Sequence, residues 1–203
     1  MFDVGEKIVV FHEKIQNPFK TIITSFSQNE IAIKIGYLKV FEKFNFGDEV
    51  LINNYKDMFI ERLKCEVIEK DTSKLIILLK VVDKIVKKDF REVERLFVSF
   101  PAKIINYIGK KNYNITIKDM TPKGVKFLSS KKIPQNKKNF LMMDIGDDEI
   151  QIGVDKMWVK RKKDAYEYGV IFENDIKNDK LIYEDFVNSI YEEQDKAFEE
   201  LKI

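Results

Sequence analysis

Arg91-Glu-Val-Glu-Arg95-Leu-Phe-Val-Ser-Phe-Pro-Ala-Lys-Ile-Ile-Asn106 decides how the chain is divided, because within it a charged stretch gives way to an apolar run that reads as a strand. Similar short runs recur downstream at Tyr113 to Asp119, Val125 to Ser129, Phe140 to Met143, Glu149 to Val159 and Ala165 to Phe172. Upstream they recur at Glu6 to His12, Phe19 to Phe26, Glu30 to Ile35, Glu49 to Ile52, Met58 to Glu69 and Leu75 to Val82. Gln16-Asn-Pro18, Ser27-Gln-Asn29, Asn53-Asn54 and Lys70-Asp-Thr-Ser73 are turn chemistry between these runs, and Gly146-Asp-Asp148 reads as a hairpin turn. The rhythm predicts an all-β fold, two small β-barrel domains in tandem with a carboxy-terminal α-helix. The first barrel is expected over residues 1–85, an interdomain linker over 86–94, and the second barrel with its helix over 95–203. The two halves look architecturally alike without an internal sequence repeat.

The helix is expected over 179–202, where the hydrophobic period changes. Leu181, Ile182, Phe186, Val187, Ile190, Ala197, Phe198 and Leu201 recur at helical spacing, with Asn178 or Asp179 available as N-cap. Such a stripe is expected to dock on a barrel, with partner or self-association through a coiled seam as the alternative.

The composition narrows the class of function. Lys and Arg number 36 against 34 Asp and Glu, and the resulting net charge of +2 argues against a generic polyanion binder. The distribution is uneven: residues 86–177 carry 20 basic and 13 acidic side chains, whereas residues 178–203 carry 3 and 8. Cys65 is the only cysteine, so an intramolecular disulfide and a thiolate metal cluster are both excluded. No targeting segment or bilayer-length apolar run is visible, and a cytoplasmic protein is expected. His12 is the only histidine and Cys65 the only cysteine, too few to build a His/Cys metal site, and His12 is assigned a structural role. With no His near a Ser and no Gly-rich phosphate loop, no catalytic residue is assigned and the chain is not expected to be an enzyme. Trp158, between Met157 and Val159, is expected to pack in the core or at a barrel mouth, with stacking on a guanine as the alternative.

Two guanidinium forks four residues apart, Arg91 and Arg95, share a face in a strand or in a helix and can converge on a small dianion. Asp119-Met-Thr121-Pro-Lys-Gly124 adds an acceptor for N–H donors, a hydroxyl, and a glycine expected to supply a positive φ in a tight turn. Arginine also matches the O6 and N7 atoms of guanine. Lys123, Lys126 and the basic loop 131–138 add long-range attraction that salt would screen. Alone, the arginines with Glu92 and Glu94 between them read as a solvated linker, and Asp119 to Gly124 as a plain turn. Their order and spacing together carry the reading.

These residues resemble the PilZ domain, a bacterial β-barrel that binds cyclic di-GMP through an RxxxR motif and a later (D/N)xSxxG motif. Arg91 and Arg95 match the first; Asp119, Thr121 and Gly124 match the second, with Thr where the family usually has Ser. Phe97-Val-Ser-Phe-Pro-Ala-Lys103 looks like the first PilZ strand and Tyr168-Gly-Val-Ile-Phe172 resembles the closing YGVxF strand. The upstream half is similar in strand rhythm to the amino-terminal barrel of YcgR-type flagellar brake proteins, with Gly5-Glu-Lys-Ile-Val-Val10 opening it and Phe46-Gly-Asp-Glu-Val50 in the middle.

The resemblance implies a second-messenger receptor that changes its interdomain arrangement when cyclic di-GMP binds. It implies no cofactor, no insertion across a membrane and a protein effector such as the flagellar motor or stator, with a monomer or weak dimer expected. Phe90 stands where relatives often carry an additional Arg, which implies one cyclic di-GMP per subunit, with Phe90 and Lys123 as neighbours of the ligand. Two other readings remain open at this point: a PilZ-like interaction module that does not bind nucleotide, and a single-stranded nucleic-acid binder using the basic segment.

Overall fold

The computed structural model describes residues 2–56, 59–88, 95–108, 110–135, 138–173 and 178–201. The chain divides into two units, Met1–Glu92 with Gln194–Ile203, and Val93–Glu193. Each contains a closed barrel of six antiparallel strands.

The first barrel comprises β1 (Lys7–His12), β2 (Phe19–Phe26), β3 (Glu30–Lys34), β4 (Glu49–Lys56), β5 (Phe59–Asp71) and β6 (Ile76–Lys88), in the order β1-β2-β3-β6-β5-β4. Alternate residues point inward, so Ile31 and Ile33, Val50 and Ile52, Leu63, Cys65 and Val67, and Ile77 and Leu79 form one core. Burial pushes the Cys65 thiol up to about 12.

The single-turn helix α1 (Leu38–Phe41) lies between β3 and β4, where no helix is predicted from the sequence. Its stretch is too short for helical periodicity to register, but it supplies Phe41, and Phe44 follows, both buried in the core. Two other expectations need correction. Asn53 and Asn54 are not a turn; they lie buried within β4, where Asn53 Oδ1 accepts from Arg62 Nε at 2.8 Å and so offsets the cost of burying an amide. β6 continues to Lys88, into the stretch read as linker, because its exposed outer residues still pair with β5. His12 has the structural role expected of it: its Nε2 is 3.0 Å from Asp48 Oδ2, and its ring lies 4.5 Å from that of Phe44.

The second barrel comprises β7 (Leu96–Asn106), β8 (Lys111–Thr121), β9 (Gly124–Ser129), β10 (Asn139–Ile145), β11 (Asp148–Arg161) and β12 (Tyr166–Phe172). Its order, β7-β8-β9-β12-β11-β10, repeats that of the first barrel strand for strand. Ile104, Ile115, Ile117, Phe127, Leu141, Ile152 and Tyr168 fill it, each fully buried aliphatic side chain contributing roughly 1.5–3 kcal/mol.

Helix α2 (Asn178–Leu201) places Tyr183 and Val187 in this core, and Phe186 lies 5.8 Å from Phe100, edge to face. The stripe differs from the predicted one in three places, since Leu181 is 48% exposed and Ala197 is exposed too, whereas Tyr183 is fully buried. Asn178 and Asp179 both lie within α2, and the Asp179 carboxylate accepts the Gln151 N–H at 2.8 Å instead of capping the helix. Among the described residues no helix is long and apolar enough to cross a membrane.

Candidate functional site

The β8–β9 connection is a two-residue turn in which Thr121 and Gly124 face each other across the ladder and Pro122 and Lys123 form its tip. Pro122 fixes the φ suited to the first central position of such a turn. The Thr121 hydroxyl donates to Gly124 O at 3.1 Å and is thus used to close the turn.

Gly124 serves a different purpose from the one its sequence context suggests. It does not have a positive φ; a Cβ there would instead lie 2.0 Å from Val170 O and 3.2 Å from Ile171 Cα. The residue is glycine so that β12 can approach the turn closely.

Asp119 sits on β8 with its carboxylate almost fully buried. Its Oδ2 is 3.2 Å from an Arg95 guanidinium nitrogen and 2.5 Å from Lys126 Nζ. Arg95 immediately precedes β7 and Lys126 projects from β9, so one carboxylate holds cations from both flanking strands. A buried carboxylate requires such compensation, and the same contacts fix where the two cations stand. Arg95 retains further N–H donors beyond the one facing Asp119, because a guanidinium has five. Arg91 and Phe90 lie outside the described residues.

Arg95, Asp119, Thr121, Lys123, Gly124 and Lys126 line one open hollow together with Trp158, Gly169 and Ile171. Trp158 corrects the expectation of core packing. It is 48% exposed, because β11 turns Met157 and Val159 to one face and Trp158 to the other. Trp158 pairs with Gly169 of β12, and a Cβ on Gly169 would fall 2.2 Å from the indole. The glycine therefore lets the ring lie flat across the strand, presenting an aromatic face beside the cations. The signal was available in principle: a lone Trp on a strand whose partner strand carries a Gly.

Behind the turn, the Tyr183 hydroxyl donates to Thr121 O at 2.9 Å. Burial, with help from nearby Tyr191 and Asp119, holds this phenol well above its ordinary pKa, so it remains a donor. The helix thus supports the turn from the core side. Sequence reasoning missed Tyr183, which reads as one more residue beside an apolar stripe.

No family model matches the chain, and no curated protein matches it in sequence. Solved structures do. MrkH of K. pneumonia in complex with c-di-GMP is 14% identical over 94% of this chain and 89% of its own, with a TM-score of 0.46. YcgR of Escherichia coli in complex with c-di-GMP is 7% identical over 96% and 88%, with a TM-score of 0.46. The Bacillus subtilis inhibitor of motility, MotI/DgrA, is 14% identical over 91% and 95%, with a TM-score of 0.38.

Proposed function

We propose that the second barrel is a receptor for cyclic di-GMP. The observation that carries this reading is the convergence, in one hollow, of Arg95 and Lys126 held by Asp119, the Thr121–Gly124 turn and the exposed Trp158. The ligand offers two phosphates and two guanines, and the hollow offers cations and an aromatic face. Arg95 would meet a phosphate or the O6 and N7 edge of a guanine, with Arg91 as its second fork. Trp158 would stack on a base, an interaction worth roughly 1–3 kcal/mol. Lys123 and Lys126 add positive potential at the rim.

Asp119 acts first by orienting Arg95 and Lys126. Accepting guanine N–H donors as well requires it to exchange part of that pairing for the ligand. Because Thr121 donates its hydroxyl to Gly124 O, it shapes the turn and does not serve as a direct donor in this geometry. Gly124 contributes by having no side chain.

A ligand gripped by both arginines at the entrance to the second barrel would change the interdomain arrangement and thereby regulate a protein effector. The likeness to YcgR-type proteins makes control of flagellar motility the favoured process. This role needs binding and no bond chemistry.

Titration calorimetry with cyclic di-GMP tests the reading, with GTP as control. Saturable binding of one ligand per chain is expected, weakened about hundredfold by Arg91→Ala or Arg95→Ala, as befits the loss of two charge-assisted hydrogen bonds. Unchanged affinity in both variants would overturn the site.

A further inference from the structure

We infer that the end of the second barrel opposite the Thr121–Gly124 turn docks on an anionic lipid surface. The strand directions define that end. Asn106 pairs with both Lys111 and Asn139, while Tyr166 pairs with both Ser129 and Arg161. The connections that follow Asn106, Ser129 and Arg161, which are 107–110, 130–138 and 162–165 in sequence, therefore start from one end of the barrel, and among their described residues the Tyr107 N–H donates to Lys138 O at 3.1 Å, tying the first to the second.

These three connections contain seven lysines and one aspartate. Lys110, Lys131, Lys132, Lys138 and Lys163 are exposed and make no ion pair among the described residues, whereas Lys162 lies 3.4 Å from Glu167. At the tip of the β7–β8 hairpin, Tyr107 and Ile108 are 64% and 68% exposed, with the Tyr107 ring 5.3 Å from that of Phe140. An apolar pair at the point of a hairpin, ringed by long cationic side chains, fits the boundary of a bilayer. Ile and the Tyr ring would enter the headgroup region, and the lysines would reach lipid phosphates. A nucleic acid would use the lysines and the tyrosine but would give Ile108 nothing to do.

The first barrel provides an internal control. Its topologically equivalent connections, 13–18, 35–48 and 72–75, carry four lysines and three acidic residues, and Lys14 is paired with Asp48 at 2.6 Å. That end exposes Tyr37 and Phe46 as well, so exposed apolar side chains alone do not set the second barrel apart. Its unbalanced charge does.

Sedimentation of the full chain with vesicles of phosphatidylserine and phosphatidylcholine, beside pure phosphatidylcholine, tests the inference. Binding to the anionic vesicles alone is expected, weakening as salt rises. The Ile108→Ser variant and the Lys131→Glu/Lys132→Glu double variant should each lower partitioning about tenfold or more at unchanged thermal melting. Absence of vesicle binding would overturn the docking. So would vesicle binding indifferent to Ile108→Ser, or a preference for oligonucleotides over anionic vesicles.

Discussion

In the first barrel the turn from β2 to β3 closes on itself: the Ser27 N–H donates to Glu30 O at 2.9 Å, and the Ser27 hydroxyl accepts the Glu30 N–H at 3.1 Å. In the second barrel the equivalent turn, from β8 to β9, stands beside Arg95, Asp119 and Trp158. The residue before β1 is Glu6, 2.7 Å from Lys56; the residue before β7 is Arg95, directed to Asp119. Two barrels of identical strand order thus differ in what occupies matching strand ends. A scaffold does not specify a ligand; a few side chains at its rim do.

The contrast can be broken most sharply at the residue preceding each barrel. Arg95→Ala should weaken cyclic di-GMP binding about hundredfold, whereas Glu6→Ala should leave it unchanged. Comparable losses in both, measured by calorimetry, would mean that the ligand is not confined to the second barrel.

Next come the matching turns themselves. Gly124→Ala forces a methyl group against Val170 O and should cost the second barrel about 1–3 kcal/mol in a denaturant titration. Asn29→Ala, in the exposed turn of the first barrel, should stay within about 0.5 kcal/mol.

Trp158→Ala should weaken the ligand about tenfold without loss of fold. Because Trp158 is the chain's one tryptophan, its fluorescence should also change on addition of cyclic di-GMP to the wild type. An emission spectrum indifferent to saturating ligand would remove the indole from the site. Smaller still, Tyr183→Phe deletes the hydrogen bond to Thr121 O and should cost about 1 kcal/mol of second-barrel stability.

The first barrel has its own acid sensitivity. The Lys14 ammonium, then the Asn45 N–H and His12, hold the Asp48 carboxyl at about 2 against an ordinary 3.8, despite partial burial. A depressed folded-state pKa stabilises above the unfolded value, and that contribution fades as pH falls from about 3.8 through about 2. Asp48→Asn should flatten the first barrel's melting temperature across that window; an unaltered slope would assign acid sensitivity to other carboxylates.

Much of this was legible from alternation. The inward sets Leu63, Cys65 and Val67 or Ile77 and Leu79 obey a period of two, and that period declares strands wherever one face is buried. Where burial stops, legibility stops too. The end of β6 and the last turn of the β11 ladder are held by backbone pairing, which leaves little mark in side-chain polarity. Asn53 and Asn54 misled because buried amides look like turn residues until a partner such as Arg62 is placed. That Arg95, Asp119, Thr121 and Gly124 line one hollow was recoverable because they follow one another along adjoining elements. Tyr183 was not, since it matters through a helix distant in sequence, and Trp158 stayed open to two readings until Gly169 of the partner strand stood beside it.

Cys65 faces inward on β5, walled in by the first barrel, and no other sulfhydryl exists in the chain. A thiol reagent can therefore react only during excursions that part that barrel, and the labelling rate becomes a clock for them. Run under native conditions, with and without ligand, the clock times the opening of one barrel while the other is silent to the reagent.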